Sequence, residues 1–114
     1  MLTIEKLKAF GANTDEGLAR CMNNEPFYLR VVGMALADGN FDKLAQAVKA
    51  RDTAAAFEAA HALKGSVGNV SLTPIFEPVC EMTELLRGKT EPVDADDLLD
   101  EIMGKLAEVR KLAE

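Results

Sequence analysis

An all-α fold is what three features of this sequence predict. Aromatic residues make up only 5% of the chain, Trp is absent, and Ala, Leu, Met, Glu and Lys are abundant, a composition that favours helices over strands. No segment alternates apolar and polar residues as a half-buried strand would. The longer apolar patterns recur at three- and four-residue steps and are joined by short connections. Together these predict an up-and-down antiparallel four-helix bundle with short additional N-terminal helices.

The elements follow in order along the chain. A short helix begins after Thr3 and stops near Gly11, and a second runs from an Asp15 cap to about Met22 with Leu18 and Met22 facing inward. Pro26 suits the first turn of a longer helix capped by Asn24, whose apolar positions are Phe27, Val31, Met34 and Leu36. Asp38-Gly39-Asn40 breaks or bends this helix, and Phe41, Leu44, Ala45 and Val48 carry the period on to about Ala50. Asp52 caps the next helix, which the pattern extends to roughly Val70. Beyond Ser71-Leu72-Thr73-Pro74 the stripe resumes with Ile75, Val79, Met82, Leu85 and Leu86 and ends at Gly88. Pro78 lacks the N–H that a helix interior needs, so that helix either starts at Ile75 to Glu77 or kinks there. The last helix has Asp94, Asp96 and Asp97 in its first turn and Arg110 and Lys111 in its last, matching the helix dipole. Its stripe is Leu98, Leu99, Ile102, Leu106 and Val109. With 114 residues and no repeat or linker, residues 1–114 read as a single domain, 1–23 forming the short helices and 24–113 the bundle.

Charge and composition exclude several functions. With 13 Lys and Arg against 19 Asp and Glu, the net charge of −6 disfavours nucleic acid or an anionic membrane as the main partner. The longest apolar run, Val31 to Ala37, is far below the ~18 residues of a membrane span. Met1 to Lys6 lacks the features of a signal peptide, so a cytoplasmic chain is expected. Cys21 and Cys80 stand apart without a metal-ligand spacing and read as reduced thiols packed as small apolar groups, with no metal site expected.

The single histidine, His61, carries the chemistry. With Leu63 at the centre of the buried stripe and 100° per residue, Ala56, Ala59, Ala60, Val67 and Val70 fall within about 40° of it, and Ser66 lies at the edge. His61 lies about 160° away and points outward, with Ala54, Gly65 and Gly68 on its face. Gly65 in a helix interior costs about 0.8–1 kcal/mol relative to Ala, and Gly68 a similar amount. Two glycines there make sense if another macromolecule must reach the ring. Lys64, one turn from His61, adds a positive charge that favours a phosphoryl group on the imidazole.

The run His61-Ala62-Leu63-Lys64-Gly65-Ser66 resembles the H-x-L-K-G-S hallmark of the histidine-containing phosphotransfer domains of multistep phosphorelays. Arg51-Asp52 before it, Gly68-Asn69-Val70 after it, and the C-x-x-x-E pattern of Cys80 and Glu84 are similar to that family too. The resemblance implies that His61 accepts the phosphoryl group, Lys64 steadies it and Gly65 opens access to it. Ser66 completes the motif as a half-buried hydroxyl in a packing or backbone hydrogen-bonding role. Thr83 stands where many members place a Gln that supports the histidine, Arg87 offers a further basic group, and Ser71 replaces a common glycine, a change read as neutral.

What the resemblance implies functionally is a phosphocarrier. It would take a phosphoryl group from a receiver-domain aspartate and pass it to another receiver, with a hybrid sensor kinase upstream and Mg²⁺ on the receiver. No nucleotide-binding loop or metal constellation of its own is evident, so it is expected to be neither a kinase nor an independent phosphatase. Docking would use Ala54, Phe57, Gly65 and Gly68, and a monomer is expected. Two rivals are a non-catalytic module that binds receivers without carrying phosphate, and a small hydrolase built on a Cys–His dyad.

Overall fold

Side-chain oxygens and left-handed corners set where the helices begin and end. The computed structural model describes residues 1–114 and contains seven α-helices and no strand. Thr3 Oγ1 accepts the Lys6 N–H at 3.1 Å and opens α1 (Ile4–Phe10), which Gly11 closes at φ 108°. Asn13, rather than Asp15, caps α2 (Thr14–Arg20), because its side-chain oxygen Oδ1 accepts the Glu16 N–H at 3.2 Å. Asn24 caps α3 (Glu25–Leu36), with Pro26 in the first turn as expected. The chain breaks after Ala37, and α4 (Asn40–Lys49) is a separate helix. Asp52 caps α5 (Thr53–Asn69) through the Ala55 N–H.

Pro78 neither delays nor interrupts its helix: α6 (Thr73–Leu86) starts at Thr73 and runs through it. Only one N–H is lost, and the proline ring is buried in the core. In α7 (Asp96–Leu112), Asp94 lies just before the first turn, and its carboxylate accepts the Asp96 N–H at 3.1 Å. Arg51 and Ser71 end the turns on either side of α5 at φ 57° each. Ser71 is therefore not neutral, since this left-handed conformation favours glycine. Its compensation is tertiary: Oγ donates to Glu16 at 2.9 Å, and its carbonyl accepts the Asn13 N–H at 3.0 Å.

The core lies among α4, α5, α6 and α7. α5 packs between α4 and α6, α6 packs on α7, and α7 returns to α4. α3 lies against α2 and α5, and α1 against α2 and α7. The buried face of α5 is Ala56, Ala59, Ala60, Leu63 and Val67, in agreement with the helical-wheel expectation. α3 differs: it buries Tyr28, Val32, Ala35 and Leu36, while Phe27 is 46% and Met34 64% exposed. Tyr28 sets that rotation. Its ring packs on the backbone of Gly17, and its hydroxyl donates to the Val70 carbonyl at 2.8 Å. Burial, with Cys21 adjacent, pushes the phenol pKa up to about 12, which keeps the donor proton in place. Met22, expected to face inward, is 86% exposed in a left-handed turn, and Leu18 is half-buried. No helix is long and apolar enough to cross a membrane.

Two long-range polar contacts close the assembly. Arg110 donates through Nε (3.1 Å) and Nη2 (2.6 Å) to the Leu36 carbonyl, satisfying an acceptor that the end of α3 leaves open. Arg51 makes two hydrogen bonds to Asp96, at 2.8 and 3.0 Å, and ties the α4–α5 turn to the start of α7.

A Cβ at Gly17 would overlap the Tyr28 ring, so Gly17→Ala should destabilise the protein by about 1–3 kcal/mol in urea unfolding, despite its gain in helix propensity. The hydrogen bonds from Arg51 hold the Asp96 carboxyl below the usual aspartate range. A depressed folded-state pKa means stability present above the unfolded value and lost as pH falls through the folded one. Asp96→Asn should therefore lower the melting temperature at pH 7, and the difference from wild type should close as the pH drops below the ordinary aspartate range.

Candidate functional site

The outer face of α5 presents its chemistry on an exposed helix surface. Ala54 and His61 are exposed, Phe57 and Lys64 are half-buried, and Gly65 is open, with no atom within 4 Å of where its Cβ would stand. Spacing alone places Phe57 one turn before His61, and the two rings stack with centroids 5.8 Å apart and planes inclined by 23°. Access to the imidazole is therefore unobstructed on the Gly65 side and restricted on the Phe57 side.

The neighbouring helix supplies the other half. Cys80 and Glu84 on α6 and Arg87 at its C-cap recur at four- and three-residue steps and line the border with α5. Arg87 donates twice to Glu84, at 3.1 Å each, and its guanidinium lies over the Phe57 ring, 5.3 Å from the centroid. These hydrogen bonds hold the Glu84 carboxyl below its ordinary range, helped by the charge of Arg87 and more weakly by Lys64. Lys64 enters no salt bridge or side-chain hydrogen bond. Arg87 is thus neutralised in place, and Lys64 is the cation available to an incoming anion.

Several expected site residues fall elsewhere. Thr83 is fully buried, and its hydroxyl donates to the Val79 carbonyl at 2.8 Å, so it cannot support the histidine. The stripe of Val79, Met82 and Leu86 already places Thr83 among inward positions, a signal available in the sequence. Gly68 is not an open docking position: a Cβ there would stand 2.8 Å from the Phe76 ring, so this glycine admits a neighbouring side chain from α6. Ser66 is half-buried, with its hydroxyl directed at the Leu63 carbonyl over 3.4 Å, as its place at the stripe edge implied. Of the cysteines, Cys21 is buried, but Cys80 is only half-buried. Burial raises the Cys80 thiol pKa, with Lys64 opposing, which works against thiolate chemistry at neutral pH.

What decides the family is the match of the Hpt domain model to residues 34–112. The chain belongs to the Hpt domain family. The match spans α4 to α7 and with them His61, while α1, α2 and most of α3 precede it. Hpt domains are helical bundles that act in histidine phosphotransfer within phosphorelays, where they interact with receiver domains. Among curated proteins and among solved structures, no significant match was found.

The two glycines of the Hpt face should separate on substitution. Gly65→Ala fills open space and should raise stability by about 0.5–1 kcal/mol. Gly68→Ala must displace Phe76 and should lower stability by about 1 kcal/mol or more, both changes being read from chemical unfolding midpoints.

Proposed function

We propose that this Hpt domain is a phosphocarrier that accepts a phosphoryl group on His61 from a receiver-domain aspartate and passes it to another receiver. The observation that carries this reading is an exposed imidazole between an uncovered helix-interior glycine, Gly65, and an unpaired cation, Lys64. In the forward step the lone pair of a neutral imidazole nitrogen forms the N–P bond while the P–O bond to the aspartate breaks. The electron pair leaves with the aspartate as carboxylate, and the proton on the other ring nitrogen stays. Lys64 offsets the phosphoryl charge at its new position. Such a transfer is governed by positioning and charge neutralisation, so Mg²⁺ and the receiver's own residues can supply the remainder. On this reading the chain is not an enzyme by itself.

Further elements belong to the same proposal. Residues 24–113, α3 to α7, form an up-and-down antiparallel bundle built on α4, α5, α6 and α7, and the chain is a single domain with α1 and α2 as its N-terminal addition. The partners are receiver domains and a hybrid sensor kinase, the protein works as a monomer, and it works in the cytoplasm. Docking uses Ala54, Gly65 and the ring edge of Phe57 around the histidine. Arg87 contributes at that margin while still paired to Glu84.

Incubation with a phosphorylated receiver and Mg²⁺ tests the role. Wild type should take up acid-labile, alkali-stable label, and His61→Gln should take up none; equal labelling of the variant rejects the site. Lys64→Ala should slow transfer by roughly tenfold or more without altering the melting temperature. Gly65→Gln should block transfer while leaving the helix at least as stable. Receiver binding that survives His61→Gln with no label on wild type would instead identify a non-catalytic interaction module.

A further inference from the structure

A solvent-exposed histidine ordinarily samples several rotamers, since no neighbouring group selects one of its allowed wells. His61 is held differently. Phe57 lies four residues earlier on the same face of α5, and the two rings are stacked at 5.8 Å and 23°. Phe57 is in turn half-buried and carries the Arg87 guanidinium at 5.3 Å from its centroid. Arg87 is held by two hydrogen bonds to Glu84 one turn back on α6. The contacts form one chain from α6 to the imidazole: Glu84 to Arg87, Arg87 to Phe57, Phe57 to His61.

We propose that Phe57 is a positioning residue, which fixes the plane of the His61 imidazole by stacking and is itself fixed by the Glu84–Arg87 pair. The inference rests on His61 being the phosphoryl acceptor. In-line transfer needs the lone pair of one ring nitrogen aimed at phosphorus, and a ring that rotates freely spends most of its time aimed elsewhere. Stacking removes that freedom while leaving the outward ring edge and the Gly65 side uncovered. An aliphatic side chain of similar volume at position 57 can fill the same space, but it has no π face for the imidazole or the guanidinium. Arg87 therefore acts through Phe57, and its pairing with Glu84 keeps it over that ring.

Two substitutions and two readouts separate positioning from packing. Phe57→Leu removes the aromatic face, and Phe57→Tyr retains it. Phosphoramidate serves as the donor, because it needs no docking surface: the imidazole nitrogen forms the N–P bond, the P–N bond of the donor breaks, and ammonia leaves with the electron pair. Phe57→Leu should reduce the labelling rate by about three- to tenfold with the helical fold retained by circular dichroism, and Phe57→Tyr should stay within about twofold of wild type. In proton NMR the ring C–H resonances of His61 should be shifted upfield by Phe57 in wild type and in Phe57→Tyr, and should move toward unstacked values in Phe57→Leu. A wild-type labelling rate in Phe57→Leu, or His61 resonances unchanged by that substitution, overturns the proposal. Label that persists on His61→Gln overturns the acceptor assignment instead, and the resonance shifts still decide whether the stack exists.

Discussion

The rotation of α5 about its own axis is the constraint on which the rest depends. Ala56, Ala59, Ala60, Leu63 and Val67 are all buried between α4 and α6, and the three alanines let the neighbouring helices approach closely. Turning the helix by a single residue, 100°, would bring His61 toward the core and carry Leu63 toward water. Exposing Leu63 alone forfeits about 1.5–3 kcal/mol of burial. The outward histidine is thus enforced by the apolar packing on the opposite side of its helix, and the site needs no pocket of its own. An exposed face oriented by packing on its far side suits chemistry whose other half arrives on a partner.

Both ends of α5 are also pinned by contacts that leave its outer middle turns free. At the N-terminal end, Asp52 caps the helix, the Thr53 hydroxyl donates to the Glu91 carbonyl at 2.9 Å, and Arg51 reaches Asp96. At the C-terminal end, Tyr28 binds the Val70 carbonyl, Arg20 donates to the Gly68 carbonyl, and Ser71 bonds to Glu16. The strained left-handed corner at Ser71 is therefore held by residues of α2, with Tyr28 of α3 one residue away. These N-terminal helices lie almost wholly before the matched family region, yet they brace the helix that carries the histidine.

Most of the fold was readable because its determinants are local. Thr3, Asn24 and Asp52 cap through hydrogen bonds to N–H groups three residues away, and the α5 and α7 stripes have one consistent period. The misreadings on α3 and at Gly68 share a cause: a partner distant in sequence decided the outcome. On α3, Phe27, Val31 and Met34 are as apolar as the residues that are buried, and Tyr28 tips the rotation through Gly17 and Val70. Gly65 and Gly68 are equivalent on a helical wheel until Phe76 of α6 covers one of them. Thr83 is the exception, since the α6 stripe itself placed it inward. The family pattern, transferred by position, pointed to it nonetheless.

Charge placement completes the account of how an acidic chain can serve a phosphoryl group. The net charge of −6 is spread over the surface, and the two cations beside His61 are treated differently. Arg87 is compensated by Glu84, whereas Lys64 stands unpaired one turn from the imidazole. Exposed pairs such as Glu84–Arg87 add little to stability. Their effect on the site is greater, because two free cations would hold a phosphorylated ring more tightly than one. Under the proposed role the group must leave His61 as readily as it arrives, so a single free lysine offsets the phosphoryl charge without trapping it. The second cation is spent on Phe57, where it orders the aromatic ring instead of adding to the attraction for phosphate.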